Sequence, residues 1–311
     1  MVKSYQGNRK LPPGAAVLTS LLCISFGANA VAIKICLAGM GPFTLAATRF
    51  AIAAVAISIW AFATGHSFRL KRGQLRQMTI LAAVFSGQTA LFYMGIDKTS
   101  ASRSTLISNL QPFLVLVLAH FFVPGDRINM KKIIGISMGF VGVLVVFLQR
   151  EGVTDEIRTG DLLVFLAVIL WGGNAIFIKR IIDNYQPFQI TLFPMLLMVP
   201  LLLVAAAASG EVMIVKITAP VIGALAYQSL LTASLGFVLW NTLLQRYGVV
   251  ALHSYVFLIP ISGVALGGII LGEQVATVYV LAALVLIVIG ITIVGRSDQP
   301  VLRNPSPPPG R

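Results

Sequence analysis

An asparagine and a lysine five residues apart occur twice in this chain. They stand in Gly27-Ala28-Asn29-Ala30-Val31-Ala32-Ile33-Lys34 and again, 145 positions on, in Gly172-Gly173-Asn174-Ala175-Ile176-Phe177-Ile178-Lys179. At the same offset Pro42-Phe43 falls on Pro187-Phe188. An amide donates and accepts hydrogen bonds and an ammonium supplies charge, so the pair has the chemistry to hold a small polar or anionic molecule. Isolated polar groups elsewhere in apolar runs add to it. Arg49 carries a planar guanidinium suited to carboxylates. Gln88, Tyr93, Ser108, Asn109, Gln111, Tyr227, His253 and Tyr255 add amides, hydroxyls and an imidazole, while Trp240 beside Asn241 suits a zwitterionic or ring-bearing molecule. Bond-breaking chemistry finds no such support. The chain lacks a phosphate-binding P-loop, its Cys and His lack metal-ligand spacing, and no acid is placed for a nucleophilic triad. The expectation is a protein that binds molecules without metal, cofactor or catalysis.

Composition dictates what must position these groups. Of 311 residues 57% are hydrophobic and 11% charged, against roughly 25% charged in soluble domains, and mean hydropathy is +0.91. Apolar runs of bilayer-spanning length tile the chain at about 14–38, 42–63, 75–96, 102–122, 131–149, 160–182, 187–208, 218–245, 249–271 and 275–294. Gly or Pro marks most of the short loops between them. Basic residues before the first run, with Ala28-Asn29-Ala30 at its close, mimic a signal peptide. The mid-chain second copy of the motif cannot be one, so the run is read as a span. Cys23 and Cys36 lie thirteen apart on one predicted helix and read as buried free thiols. The tail at 295–311, Pro-rich from Pro300, is expected to be disordered. The net charge of +13 resides in short loops, and no soluble basic face for nucleic acid exists.

Sixteen Lys and Arg fall on one side of the ten spans and five on the other, which places both termini in the cytoplasm. Each copy of the motif opens a set of five spans. Five is odd, so the second set must enter the membrane upside down. Pro112 in span four matches Pro260 in span nine, Gly125-Asp126 matches Gly272-Glu273, and Gly142 matches Gly290. The organisation expected is an all-α polytopic membrane protein of ten transmembrane helices in two inverted five-helix repeats. A cytoplasmic segment at 1–13 precedes repeats at 14–149 and 160–294. Inverted repeats of this kind are common in secondary transporters, with the substrate near the midplane where the repeats meet.

These residues carry a family resemblance. Asn-Ala-x-x-x-Lys in spans one and six, Arg49-Phe50 in span two, a mid-span proline in four and nine, and Gly-Glu closing nine resemble the EamA branch of the drug/metabolite transporter superfamily. The segment Gly236-Phe237-Val238-Leu239-Trp240-Asn241-Thr242-Leu243-Leu244-Gln245-Arg246-Tyr247, followed by Leu258-Ile259-Pro260 and Leu271-Gly272-Glu273, resembles members that export amino acids and related metabolites. The first half departs from the pattern, with Gly125-Asp126 where Gly-Glu is usual and Phe26 where Trp is often found. The resemblance implies a ten-helix inverted-repeat fold in a bacterial inner membrane, exporting small metabolites by alternating access. Nucleotide-sugar carriage, or a non-transporting scaffold, stands as the alternative.

Polar groups in hydrocarbon are costly and face the bundle interior or water. Asn29 and Asn174 therefore read either as interhelical hydrogen bonds or as two halves of a gate on opposite sides of the midplane. Lys34 and Lys179, near span ends, read as snorkelling side chains. Arg49 reads either as a carboxylate site or as an anchor to backbone carbonyls. Pro112 and Pro260 each remove an N–H and clash with the carbonyl four residues back, at Ser108 and Val256. They are the candidate hinges, and the bound molecule is expected beside them. No Asp or Glu falls deep inside a span, which favours a facilitated or weakly coupled exporter with His253 as the proton-relay candidate and His120, near the end of span four, a poor second. The partners expected are a small-molecule metabolite and the lipid bilayer, with a homodimer left open.

Overall fold

Long apolar segments in lipid satisfy their backbone groups by forming helices, and helices account for most of the described residues. The computed structural model describes residues 11–65, 68, 70, 73–122, 128–150, 152–181, 185, 187–247, 252 and 255–297. Twelve α-helices run through them: α1 (Pro13–Leu37), α2 (Pro42–Ala63), α3 (Gln74–Lys98), α4 (Ala101–Ser108), α5 (Gln111–Phe122), α6 (Met130–Leu148), α7 (Asp155–Ile181), α8 (Pro187–Ser209), α9 (Ala219–Ala226), α10 (Phe237–Tyr247), α11 (Leu258–Leu271) and α12 (Val278–Ser297). Proline opens α1, α2 and α8, where its missing N–H costs nothing. Side chains of Ser100 and Asn129 cap α4 and α6 by accepting from the amides of Arg103 and Lys132. Among the described residues nine segments are long and apolar enough to cross a membrane, and α11 is a shorter tenth.

Three spans are not plain helices. Span four divides at Asn109 and Leu110, so α4 closes at Ser108, four residues before Pro112. Span eight runs from α9 into a ten-residue π-helix, Tyr227–Gly236, before resuming as α10. Span nine is interrupted, and part of its first half lies outside the described residues. Leu252 is helical, a turn runs through Tyr255 to Phe257, and α11 follows from Leu258 with Pro260 in its first turn. Proline fits that first turn because no carbonyl one turn back needs its N–H.

Packing joins the two five-span sets throughout. The most extensive pair is α6 with α12; then come α3 with α7, α1 with α11, and α2 with α8. Exchanging the sets leaves this pattern in place. Spans five and ten pair with each other, as do two and seven, while three-with-six mirrors one-with-eight and one-with-nine mirrors four-with-six. A two-repeat body with an approximate two-fold relation has this property. Close approach depends on glycine. A Cβ on Gly135 would lie 2.8 Å from the Gly290 carbonyl, and one on Gly290 would lie 2.6 Å from that of Gly135.

Polarity is inverted relative to a soluble protein. Val55, Ile59 and Phe62 of α2, Val204 of α8 and Ile269 of α11 are exposed, whereas Arg49, Gln88, Arg103, Asp161, Asn174 and Gln228 are buried. That distribution suits a bilayer as solvent, and the chain is a multi-pass membrane protein. Both cysteines are buried and free.

Candidate functional site

Helix α2 starts beside the loop after α8, where the Glu211 carboxylate accepts hydrogen bonds from the amides of Phe43 (3.1 Å) and Thr44 (2.8 Å) and from the Thr44 hydroxyl. The acid both caps the helix and opposes the positive end of its dipole. Seven residues on, about 10 Å along the axis, α2 presents Arg49 to the bundle interior, 6% exposed. Its Nη1 donates to Tyr93 Oη of α3 at 2.8 Å and its Nη2 to Thr232 Oγ1 of the π-helix at 3.3 Å. The guanidinium lies 5.1 Å from the centroid of the Phe50 ring. Tyr93 Oη donates in turn to Gln228 Oε1 (3.1 Å), and Gln228 Nε2 donates to Cys36 Sγ (3.1 Å). The Thr232 hydroxyl lies 3.1 Å from Asn29 Oδ1 and 2.7 Å from the Gln228 carbonyl, the two acceptors open to its proton.

Side chains from α1, α2, α3 and span eight thus form one buried network holding a permanent cation. Every group touching that cation is neutral. The ion pairs among the described residues join Lys98 to Glu156, Arg103 to Asp161 and Arg158 to Asp155, and Arg49 belongs to none. Its Nε has no hydrogen-bond partner among the described residues, and neither do Ser229 Oγ, Gln88 Oε1 or Asn174 Oδ1, all buried. The π-helix is what assembles this. Its wider turn points Gln228, Ser229 and Thr232 inward, all at most 2% exposed, and such segments recur at functional sites.

The sequence candidates distribute around this network. Asn29, Arg49 and Tyr93 are in it. Tyr227 donates to the Ser25 carbonyl at 2.7 Å, and Trp240 stacks edge-on against Phe26 at 5.8 Å, so both lie on the seam between α1 and span eight. Gly27 of the repeated motif makes that region tight, since a Cβ there would lie 2.5 Å from the Ile259 carbonyl of α11. Asn174 is buried on α7, whose main neighbours are α3, α5 and α4, so it is not part of the Asn29 network. Gln88 is buried on α3. Ser108 and Asn109 fold back to the Thr105 carbonyl at 3.0 and 2.7 Å and thereby close α4. Gln111 and Pro112 are half-buried at the start of α5; Tyr255 is half-buried in the turn before α11, and Pro260 is buried. His253 lies outside the described residues, as does the Asn241 side chain.

Lys34, expected to snorkel, is half-buried and tied to a neighbouring helix. Its Nζ donates to the carbonyls of Ile96 (2.8 Å), Asp97 (2.7 Å) and Thr99 (2.8 Å), closing the C-terminal end of α3, where a cation is favoured by the dipole. Arg103 and Asp161, which the sequence did not single out, form a buried ion pair. Arg103, in the first turn of α4, holds the fully buried Asp161 of α7 through Nε and Nη2, with Gln149 Oε1 and the Val146 carbonyl as further acceptors. Thr99 also donates to Asp161. Nearby, Glu273 accepts from the amides of Ala101 and Ser102 and from the Ser102 hydroxyl, capping α4 as Glu211 caps α2. Sequence reasoning missed Gln228, Ser229 and Thr232 as well. The available signal was three polar residues at i, i+1 and i+4 inside one apolar span.

The EamA-like transporter family matches at residues 14–148 and 158–296. A Bacillus subtilis protein named "Uncharacterized transporter YyaM" is 30% identical over 232 residues, covering 71% of this chain and 74% of the relative. An Escherichia coli protein named "Probable amino-acid metabolite efflux pump" is 27% identical over 285 residues, covering 89% and 93% respectively. A solved crystal structure matches with a TM-score of 0.67 at 18% identity, over 91% of this chain and 97% of the other, which speaks for the fold alone.

Proposed function

This chain belongs to the EamA-like transporter family, and from that premise we propose that it exports a small metabolite, an amino acid or a related compound, across a bacterial inner membrane by alternating access. Both termini lie in the cytoplasm on this reading, as the sixteen-to-five distribution of basic residues requires. The observation that carries the proposal is the polar network of Arg49, Tyr93, Gln228 and Thr232, all buried, with the half-buried Asn29 at its edge. It draws on both repeats, lies inside the membrane-spanning body, and leaves polar atoms without partners. Buried polar groups that serve packing alone are hydrogen-bonded. A binding site keeps capacity in reserve.

The discontinuities supply the moving parts. Span four breaks at Asn109 with Pro112 beyond it, and α11 restarts just before Pro260. Irregular backbone at membrane depth is tolerated where it is buried in protein or lines a cavity, so Pro112 and Pro260 act as the hinges. The ties at one end of the bundle are many: Lys34 on α3, Glu211 on α2, Glu273 on α4 and Asp161 on Arg103. This end is the closed outer gate. Its acids are engaged there and none belongs to the Arg49 network, which supports facilitated or weakly coupled export. No catalytic step is assigned to the chain. The printed name of the Escherichia coli relative favours the amino-acid reading.

The test is counterflow uptake of a panel of the twenty amino acids into proteoliposomes, with and without a pH gradient. Saturable flux of at least one amino acid, little changed by the gradient, is expected. Flux no higher than in protein-free liposomes for every member of the panel would refute the reading.

A further inference from the structure

Arg49 is a charge that the protein does not balance. Arginine stays protonated in proteins, so burial cannot be relieved by losing the proton. Intramembrane arginines pair with acids or with backbone carbonyls, and Arg49 has neither among the described residues. Its guanidinium carries five N–H donors. Two reach neutral hydroxyls, on Tyr93 and Thr232, and the Nε–H has no partner among the described residues. The other intramembrane cations with described contacts are engaged. Lys34 donates to three carbonyls and Arg103 grips Asp161.

We propose that Arg49 receives the carboxylate of the transported molecule along the Nε edge of its guanidinium, so that the carrier requires a carboxylate and rejects the cationic analogue that lacks one. This inference rests on the transport reading above and names the feature by which the substrate is selected. The fork of Nε and Nη donors matches the two oxygens of a carboxylate. Charge selects between anions. One guanidinium balances one carboxylate, whereas a phosphate ester carrying up to about two charges would remain half-compensated beside Tyr93, Thr232 and Gln228, all neutral. An amine without a carboxylate would set two positive charges together in a low-dielectric site, where repulsion is large. The same cation that attracts the substrate therefore excludes organic cations.

The test uses the purified full-length protein in lipid nanodiscs and the arginine reagent phenylglyoxal, with modification at Arg49 followed by peptide mass spectrometry. The competitors are a mixture of the twenty amino acids, a mixture of the corresponding amino-acid amides, and inorganic phosphate. Arg49 is expected to react, and the amino acids are expected to slow that reaction at least fivefold while amides and phosphate leave it unchanged. An Arg49 that never reacts is a sealed structural anchor, and the inference falls. It falls equally if amides protect as well as amino acids, if phosphate protects better, or if no competitor protects. Flux through Arg49→Lys, which keeps the charge and loses the fork, provides the second arm. Transport is expected to drop at least tenfold with an unchanged melting temperature. Amino-acid flux that survives in Arg49→Gln and extends to amides would defeat the carboxylate site and leave the transport reading standing. Protection by amino acids without any flux would do the reverse.

Discussion

Arg49 and Arg103 are buried to the same degree, each 6% exposed, and each rides on a helix of the first repeat capped by a glutamate of the second. Their surroundings are opposite. Arg103 forms five hydrogen bonds, three of them to the carboxylate of Asp161 and two to Gln149 and the Val146 carbonyl. Arg49 forms two, both to hydroxyls, and its Nε has no partner among the described residues. A buried cation that only holds a fold together is neutralised within the fold, because desolvating an ion costs several kcal/mol and an opposite charge must offset it. Arg103 meets that condition at one end of the bundle. Arg49 stands deeper, among α1, α2, α3 and the π-helix, where the fold supplies hydroxyls and a ring face. The contrast separates a residue that completes the protein from one that a ligand completes.

Removing Arg103 has the largest expected effect. Arg103→Gln strands a fully buried carboxylate, and losing one partner of such a pair costs about 3–5 kcal/mol. The purified variant is expected to melt far below the wild type, and the double variant Arg103→Leu/Asp161→Leu is expected to recover most of that loss. An Arg103→Gln protein that melts like the wild type would erase the distinction. Arg49→Gln comes next. It removes an unbalanced charge, so melting should change little, while transport should fall by roughly tenfold or more, the equivalent of 1.5–3 kcal/mol for a lost hydrogen bond to a charged group. A melting temperature lowered as far as in Arg103→Gln would make Arg49 an anchor of the same kind. The smallest effect is expected at the caps. Glu273→Ala takes the acceptor from the N-terminus of α4, the helix of Arg103, and Glu211→Ala does the same for α2, the helix of Arg49. Each should cost about 1 kcal/mol, as helix N-caps do, read as a modest fall in melting temperature with faster amide exchange at Ala101 and Ser102 or at Phe43 and Thr44. Unchanged exchange there would show that the carboxylates do not hold these ends.

Much of the frame is legible from residue types. The apolar runs located the spans, nearly to the residue for α2, and the recurrence of Asn29 and Lys34 at Asn174 and Lys179 exposed the two-part construction. The polar partnerships are a different matter. Arg49 and Thr232 are 183 positions apart and Tyr93 and Gln228 are 135 apart, and no local periodicity connects them. Span eight is the clearest loss. By residue type Trp240 and Asn241 stand out there, yet the π-helix brings in Gln228, Ser229 and Thr232. Arg103 and Asp161 look like ordinary loop charges because each sits within a turn or two of a helix start. Burial becomes visible only when α4 packs between α7 and α11.

Sequence by itself determined that this chain lies in a membrane, that it is helical, and that it is built twice over. Those properties follow from hydrophobicity and backbone hydrogen bonding, which act locally and without regard to direction. It also determined that the few polar side chains within spans must turn inward. Tertiary structure alone decided which of them meet. A hydrogen bond needs atoms about 3 Å apart and aligned, and that depends on helix rotation, on a π-helical change of register, and on how one repeat crosses the other. By that route Lys34 became a cap for α3, Arg103 found an acid, and Arg49 was left with a charge to share.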